Sequence, residues 1–95
     1  MQEKRAYEEK LQAEIDRWNA EIKLLRAKAE AANAEARKNY AEELEDIESK
    51  RDDLEAKLVE LKEAQSSAWK DIKQGAERAW QEMNQAMKDA ADRFR

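Results

Sequence analysis

The sequence predicts an all-α protein built around a long amphipathic helix. Three observations favour this class: 95 residues include one glycine and no proline, strong helix formers dominate throughout, and the apolar residues recur in steps of three and four. Charged residues make up 44% of the chain and aromatic residues 6%, a composition that also occurs in disordered proteins. The regular apolar spacing favours helices over disorder.

An apolar stripe extends through the first two thirds of the chain. Its mean step of about 3.57 residues lies between the heptad value of 3.5 and the 3.6 of a straight helix, so we expect a shallow supercoil. Three consecutive steps of four occur between Ala32 and Leu44, and Arg51 takes the slot between Ile47 and Leu54. The stripe comprises Leu11, Ile15, Trp18, Ile22, Leu25, Ala29, Ala32, Ala36, Tyr40, Leu44, Ile47, Leu54, Leu58 and Leu61.

A second apolar face follows in the last third of the chain. Gly75 lies on the small-residue flank of this face, where a missing side chain would admit a neighbouring backbone at a cost of about 1 kcal/mol of helix propensity. At 100° per residue the face occupies an arc of about 80°. It comprises Trp69, Ile72, Ala76, Trp80, Met83, Met87, Ala90 and Phe94.

The best candidate turn lies at residues 65–67, where Ser67 would cap a helix that starts at Ala68. We therefore predict one coiled-coil domain over residues 1–95, with a long helix over about 3–64 and a shorter helix over about 67–94 that folds back as a helical hairpin. A second turn around residues 33–39 would instead give a three-helix bundle, but that alanine-rich segment has high helix propensity. A single rod of about 140 Å ranks third.

The long helix predicts self-association. Its stripe would be about 90 Å long, whereas the returning helix covers about 42 Å, so about half of the stripe would need another chain. A homo-oligomer, with a dimer favoured, is therefore expected. The predicted interface and packing residues are Leu11, Ile15, Trp18, Ile22, Leu25, Trp69, Ile72, Gly75, Trp80, Met83, Met87 and Phe94.

Residues 60–94, "ELKEAQSSAWKDIKQGAERAWQEMNQAMKDAADRF", and residues 18–22, "WNAEI", resemble a family of short bacterial proteins described as coiled-coil domain or stress-response proteins. Relatives often have Gly-Asp where this chain has Ser66 and Ser67. The resemblance implies a loosely protective role in stress and brings no known substrate, cofactor or catalytic residue. It is strongest in the pattern of Ala68, Trp69, Gly75, Ala79 and Trp80.

The residue inventory argues against catalysis and cofactors. The chain has no histidine and no cysteine, and Ser66 and Ser67 have no visible base partner. The acidic run at residues 42–55 lacks the Glu-x-x-His pairs of di-iron bundles, and its carboxylates point in several directions around the helix. We therefore expect no enzymatic activity, no catalytic residue, no cofactor and no metal site.

Two further features have alternative interpretations. Arg51 either sets the register against a facing acidic residue or extends its side chain from the edge of the seam into solvent. Trp18, Trp69 and Trp80 could form an aromatic ligand site or a membrane anchor, but at helical spacing on apolar faces they favour packing.

Charge and hydropathy limit the partners. A net charge of −4 disfavours nucleic acid, and the lack of long apolar runs predicts no membrane span or signal peptide and a cytoplasmic location. An amphipathic lipid-surface protein that uses residues 67–95 is an alternative. It is not favoured, because basic and acidic residues balance on that segment. The leading hypothesis is a non-catalytic, self-associating coiled-coil protein with a structural or protein-contacting role. An adaptor that binds a different helical protein is the third hypothesis.

Overall fold

The protein forms three α-helices in the computed structural model, which describes the backbone of residues 2–94 and the side chains of residues 3–94. Helix α1 spans Gln2–Ala31, α2 spans Ala34–Glu63 and α3 spans Ser66–Arg93. No strand occurs in this part of the chain. The all-helical class is confirmed, whereas the single long helix over residues 3–64 is wrong, because the chain breaks at residues 32–33. The number of helices is that of the second-ranked prediction.

The break between α1 and α2 is stabilised by caps on both helices. Asn33 has an extended backbone (φ −67°, ψ 167°), and its side-chain oxygen accepts a hydrogen bond from the Ala36 N–H at 2.9 Å. The Arg37 guanidinium donates to the carbonyl oxygens of Glu30 and Ala32, at 3.1 and 3.2 Å. These bonds satisfy groups that a helix end leaves unpaired. They explain why a segment of high helix propensity nevertheless ends one helix and begins the next.

The turn between α2 and α3 lies at residues 64–65 and overlaps the predicted turn at residues 65–67 only at Gln65. Ala64 (φ −74°, ψ 143°) and Gln65 (φ −81°, ψ 164°) are both extended. The predicted capping residue is wrong, because α3 begins at Ser66 and places Ser67 inside the first turn. Gln65 is the N-cap and makes no side-chain cap hydrogen bond.

Side-chain contacts give the direction of the helices. The Lys4 ammonium lies 3.4 Å from the Lys62 carbonyl oxygen, so the start of α1 lies beside the end of α2. Lys73 pairs with Glu3 at 3.1 Å, which brings the first part of α3 to the start of α1. Helices α1 and α3 are therefore parallel to one another, and α2 is antiparallel to both.

One apolar core fills the space between the helices. Leu11, Ile15, Trp18 and Ile22 are at most 2% exposed within the single chain. The expectation that this part of the stripe needs a second chain is therefore wrong, because the three helices bury these side chains within one chain. The core comprises Leu11, Ile15, Trp18, Ile22, Leu25, Ala29, Leu44, Ile47, Leu54, Leu58, Leu61, Trp69, Ala76, Met83, Ala86, Met87, Ala90 and Phe94.

Candidate functional site

Most of the residues predicted to pack or to form an interface lie inside this core. Ile72, Gly75 and Trp80 differ, since they are only half-buried. The buried members are Leu11, Ile15, Trp18, Ile22, Leu25, Trp69, Met83, Met87 and Phe94. The predicted set therefore describes the interior of one chain, and its half-buried members lie on α3.

An aromatic cluster joins α1 to α3. The Tyr7 ring lies edge-on between Trp69 and Trp80, with centroid distances of 5.8 and 5.7 Å. The Trp69 indole N–H donates to the Glu8 carboxylate at 3.1 Å, and the Lys73 ammonium lies 5.1 Å from the Tyr7 ring centroid. Edge-on aromatic pairs and cations over rings are favourable. The cluster therefore packs these two helices together.

Tyr7 is the cluster member that the sequence analysis did not single out. It lies four residues before Leu11, where the stripe would extend by one helical step. Its hydroxyl is buried and has no hydrogen-bond partner. Burial, and then the negative charge of Glu77, raise the pKa of Tyr7 from 10.0 to about 12. The phenol is therefore neutral at physiological pH.

Trp80 borders an open hollow on the surface. The hollow has a volume of about 540 Å³ and is lined by Tyr7, Lys10, Glu77, Trp80, Gln81 and Asn84. The Lys10 ammonium lies 6.0 Å from the Trp80 ring centroid. Because the hollow is shallow and open to water, it does not enclose a small molecule as an active site does. It does expose one aromatic edge on the side where α1 and α3 meet.

Arg51 combines the two predicted interpretations. Its guanidinium reaches across to α1 and donates to the Asn19 side-chain oxygen at 3.2 Å. The same group pairs with Asp52 at 3.0 Å, and the side chain is 24% exposed. Arg51 thus extends from the edge of the core and also joins α2 to α1, through an amide rather than through an acidic residue.

Gly75 is not a close-packing position. A Cβ built on Gly75 would lie 3.7 Å from Lys57 Cε and 3.8 Å from its Nζ, both ordinary van der Waals distances. The expected approach of a neighbouring backbone is wrong, because the space beside Gly75 is occupied by the flexible end of a lysine side chain.

The acidic run of α2 takes part in ion pairs. Glu48 pairs with Arg26 of α1, and Glu43 pairs with Arg93 of α3. Asp46 pairs with Lys50 at 2.8 Å along α2 itself. Within the described residues, no group of three or more acidic, histidine or cysteine side chains is placed to hold a metal ion.

The exposed surface of α1 carries a large apolar side chain. Leu24 is 66% exposed, and Val59 of α2, at 54%, is the other large apolar residue that is exposed in the described part of the chain. At 100° per residue, Leu24 lies in an arc of about 100° that also holds the exposed Glu9, Lys28 and Ala31. Within this arc, seven exposed residues follow one another in steps of four and three, and we call these seven the outer face of α1. They are Ala6, Lys10, Ala13, Arg17, Ala20, Leu24 and Ala27.

Comparison with known proteins adds no assignment. No protein-family model matches the chain, and no curated protein and no solved structure is similar to it at a significant level. The resemblance to bacterial coiled-coil and stress-response proteins therefore stays a prediction. Among the described residues, no helix is both long and apolar enough to cross a membrane.

Proposed function

We propose that this protein is a non-catalytic helical protein that acts by contact with other polypeptides, including further copies of itself. The observation that carries this proposal is the 66% exposure of Leu24 on α1, on a chain that buries most of its large apolar side chains in one core. A role in protection under stress, in a bacterial cytoplasm, belongs to the same proposal and rests on the resemblance of residues 18–22 and 60–94.

The titratable groups support a non-catalytic role. General acid–base catalysis favours groups whose pKa is moved toward the working pH. Here a hydrogen bond from Arg17 to Glu14 raises the pKa of Arg17, and a hydrogen bond from Lys50 to Asp46 raises that of Lys50. Tyr7 is raised to about 12. All three changes move away from neutral pH, as expected of groups that serve packing and ion pairing.

The position of α3 favours protein over lipid as its partner. Trp69, Met83, Met87 and Phe94 are at most 6% exposed and already contact the core. Lipid binding through residues 67–95 would require α3 to leave α1 and α2, with the loss of that buried area. A net charge of −4 also offers no attraction to anionic headgroups.

Sedimentation equilibrium tests the proposal, at chain concentrations from about 10 μM to 1 mM, since small interfaces are weak. We expect a reversible increase from the monomer mass toward the dimer mass. Co-sedimentation with anionic vesicles at physiological salt is the companion measurement, and there we expect no binding. A monomer at every concentration would contradict self-association. Vesicle binding would support the lipid-surface alternative instead.

A further inference from the structure

We propose that a second copy of this chain docks on the outer face of α1, antiparallel, about a two-fold axis close to residue 15. This inference rests on the proposed self-association and adds the face and the register. The order of small, large and charged side chains along the face is complementary to the same order read in reverse. An antiparallel second copy of the chain is therefore the partner that fits it.

The shape of the face permits close approach of a helix. Ala6, Ala13, Ala20 and Ala27 recur every seven residues, and all four are exposed. Lys10, Arg17 and Leu24 lie between them at the same spacing. Alternation of small and large side chains lets two antiparallel helices interdigitate, with each large side chain over a small one.

The antiparallel register places each large side chain on an alanine of the second copy. Leu24 then lies over Ala6 and beside Tyr7 of the second copy, next to the hollow that Trp80 borders. By the same register, Lys10 lies over Ala20 of the second copy and Arg17 over Ala13. Leu24 thereby gains an apolar neighbour, and burial of its apolar surface contributes to affinity. Exposed ion pairs contribute little by comparison.

The charges fit the same register. Lys10 comes next to Glu21 of the second copy, Arg17 next to its Glu14, and Glu3 next to its Lys28. Two-fold symmetry repeats each of these opposite-charge pairs. Charge complementarity of this kind sets orientation and register more than it sets affinity.

Other arrangements bring like charges together. A shift of one heptad in one direction places Lys10 beside Lys28 but Arg17 beside Glu21, and a shift in the other direction places Glu3 beside Glu21 but Lys10 beside Glu14. Parallel packing would place Lys10 beside Lys10 and Arg17 beside Arg17. Each shifted register thus mixes like and opposite charges, whereas all three pairs of the proposed register are opposite in charge, which favours that register.

Repulsion between like charges remains close to the two-fold axis. Glu14 and Asp16 each come near their own copies, and the two Arg17 guanidinium groups lie between the Glu14 carboxylates. Within one chain Arg17 already pairs with Glu14 and Glu21, at 2.6 and 3.1 Å. Glu3 likewise already pairs with Lys73, at 3.1 Å, so the pairs between copies add little net attraction. The dimer is accordingly weak, and Asp16→Asn should strengthen it by removing a repulsion.

Two matched substitutions test the face. Leu24→Glu should weaken dimerisation in sedimentation equilibrium by at least about tenfold, because it replaces the apolar contact with a charge. Val59→Glu is the control, since Val59 is also exposed but lies on α2; its dimerisation should stay within about twofold of the unmodified chain. Circular dichroism of both variants verifies that the helices are retained. Equal weakening by both substitutions, or by neither, would overturn the proposed face.

Disulfide cross-linking tests the register, and the absence of native cysteine makes single-cysteine variants unambiguous. A mixture of the Lys10→Cys and Ala20→Cys variants should give a mixed disulfide dimer under oxidation. Each variant alone should give none, because its two cysteines would be about 15 Å apart along the axis at 1.5 Å per residue, beyond the reach of a disulfide.

The outcomes separate this inference from the proposed function. If the unmodified chain dimerises but each variant cross-links to itself, the packing is parallel, the register is wrong and self-association stands. If the unmodified chain is a monomer up to about 1 mM, in the range where even weak small interfaces associate, both proposals fail. Mixed disulfides together with loss of the dimer in Leu24→Glu support both.

Discussion

The indole N–H of Trp69 in α3 donates a hydrogen bond to the carboxylate of Glu8 in α1, at 3.1 Å. Trp69 is 4% exposed, so the bond satisfies a donor that the core would otherwise leave unpaired. It joins the beginnings of two helices that are distant in sequence. Trp69 is therefore a packing residue, and both its packing and its hydrogen bond are made within the single chain.

The first prediction concerns this bond. Glu8→Ala should lower the free energy of unfolding by about 1–3 kcal/mol, because it leaves the buried indole N–H without an acceptor. Glu8→Gln should cost about 0–1 kcal/mol, since it keeps an acceptor and loses only the ion pair that Glu8 makes with Lys4. Urea denaturation followed by tryptophan fluorescence measures both. Equal losses for the two variants would show that charge, and not the hydrogen bond, is what matters.

The second prediction concerns the two helix caps. Asn33→Ala should destabilise the chain by about 1 kcal/mol, because it removes the acceptor for the Ala36 N–H. Gln65→Asp should stabilise it by about 0.5–1 kcal/mol, since the N-cap of α3 has no side-chain cap bond and an acidic residue there also favours the helix dipole. Thermal and urea denaturation measure both. If Asn33→Ala changes neither the stability nor the helicity of the chain, α1 and α2 form one continuous helix after all.

The third prediction concerns Gly75. Gly75→Ala should stabilise α3 by about 0.5–1 kcal/mol, because alanine is the better helix former and the new Cβ meets only Lys57 at ordinary distances. Gly75→Leu should be nearly neutral, as the lysine side chain can move aside. Ala56→Gly, at an exposed position of α2, is the converse control and should cost about 1 kcal/mol. A Gly75→Ala variant that unfolds at lower urea would restore the close-packing interpretation.

The fourth prediction concerns the Tyr7 hydroxyl. Tyr7→Phe should leave stability at pH 7 unchanged or slightly higher, because it removes a buried polar group that has no partner. The matched control is Tyr40→Phe, which tests a half-buried tyrosine that stacks on Phe94 at a centroid distance of 4.3 Å. A clear loss of stability for Tyr7→Phe alone would show that the hydroxyl has a partner in solution.

The same residue predicts a dependence on alkaline pH. The pKa of Tyr7 is about 12 in the folded chain against 10.0 for an ordinary tyrosine, so the unfolded chain releases this proton first. Stability from the neutral phenol is complete below pH 10 and falls as the pH rises toward 12. In Tyr7→Phe, the part of the fall in the free energy of unfolding that comes from this phenol should be absent. Urea denaturation of both chains at a series of pH values from 9 to 12 measures the difference. An identical pH profile for the two chains would contradict the raised pKa.

Apolar periodicity predicted most of the residues that lie inside, because burial depends on spacing along a helix, although Ala36, Tyr40 and Trp80 are only half-buried. Leu11, Trp18 and Met83 are all at most 1% exposed. Periodicity could not separate one long helix from two, since both present the same stripe. The signal of the break was local: Asn33 as a cap, Arg37 within reach of the preceding carbonyls, and the run of four-residue steps after Ala32 that shifts the phase of the stripe.

The candidate surface was less predictable than the core. Self-association was expected from an apolar stripe that turned out to be internal, and Leu24 was not singled out because it falls outside that stripe. Its neighbour Leu25 belongs to the stripe and is 7% exposed. Gly75 was misjudged for the same reason. Helical spacing places it on a flank of α3, but it does not identify the group of the neighbouring helix that faces it.

The central claim is that each chain completes its own core and that a second copy docks weakly on the outside. Thermal unfolding monitored by circular dichroism, at chain concentrations from about 1 to 50 μM, tests this most directly, because a core shared between chains makes the midpoint depend on concentration by mass action. We predict the same unfolding midpoint throughout this range, below the concentrations at which the outer face associates. A midpoint that rises by several degrees with concentration would contradict the account and show that the apolar stripe is buried between chains.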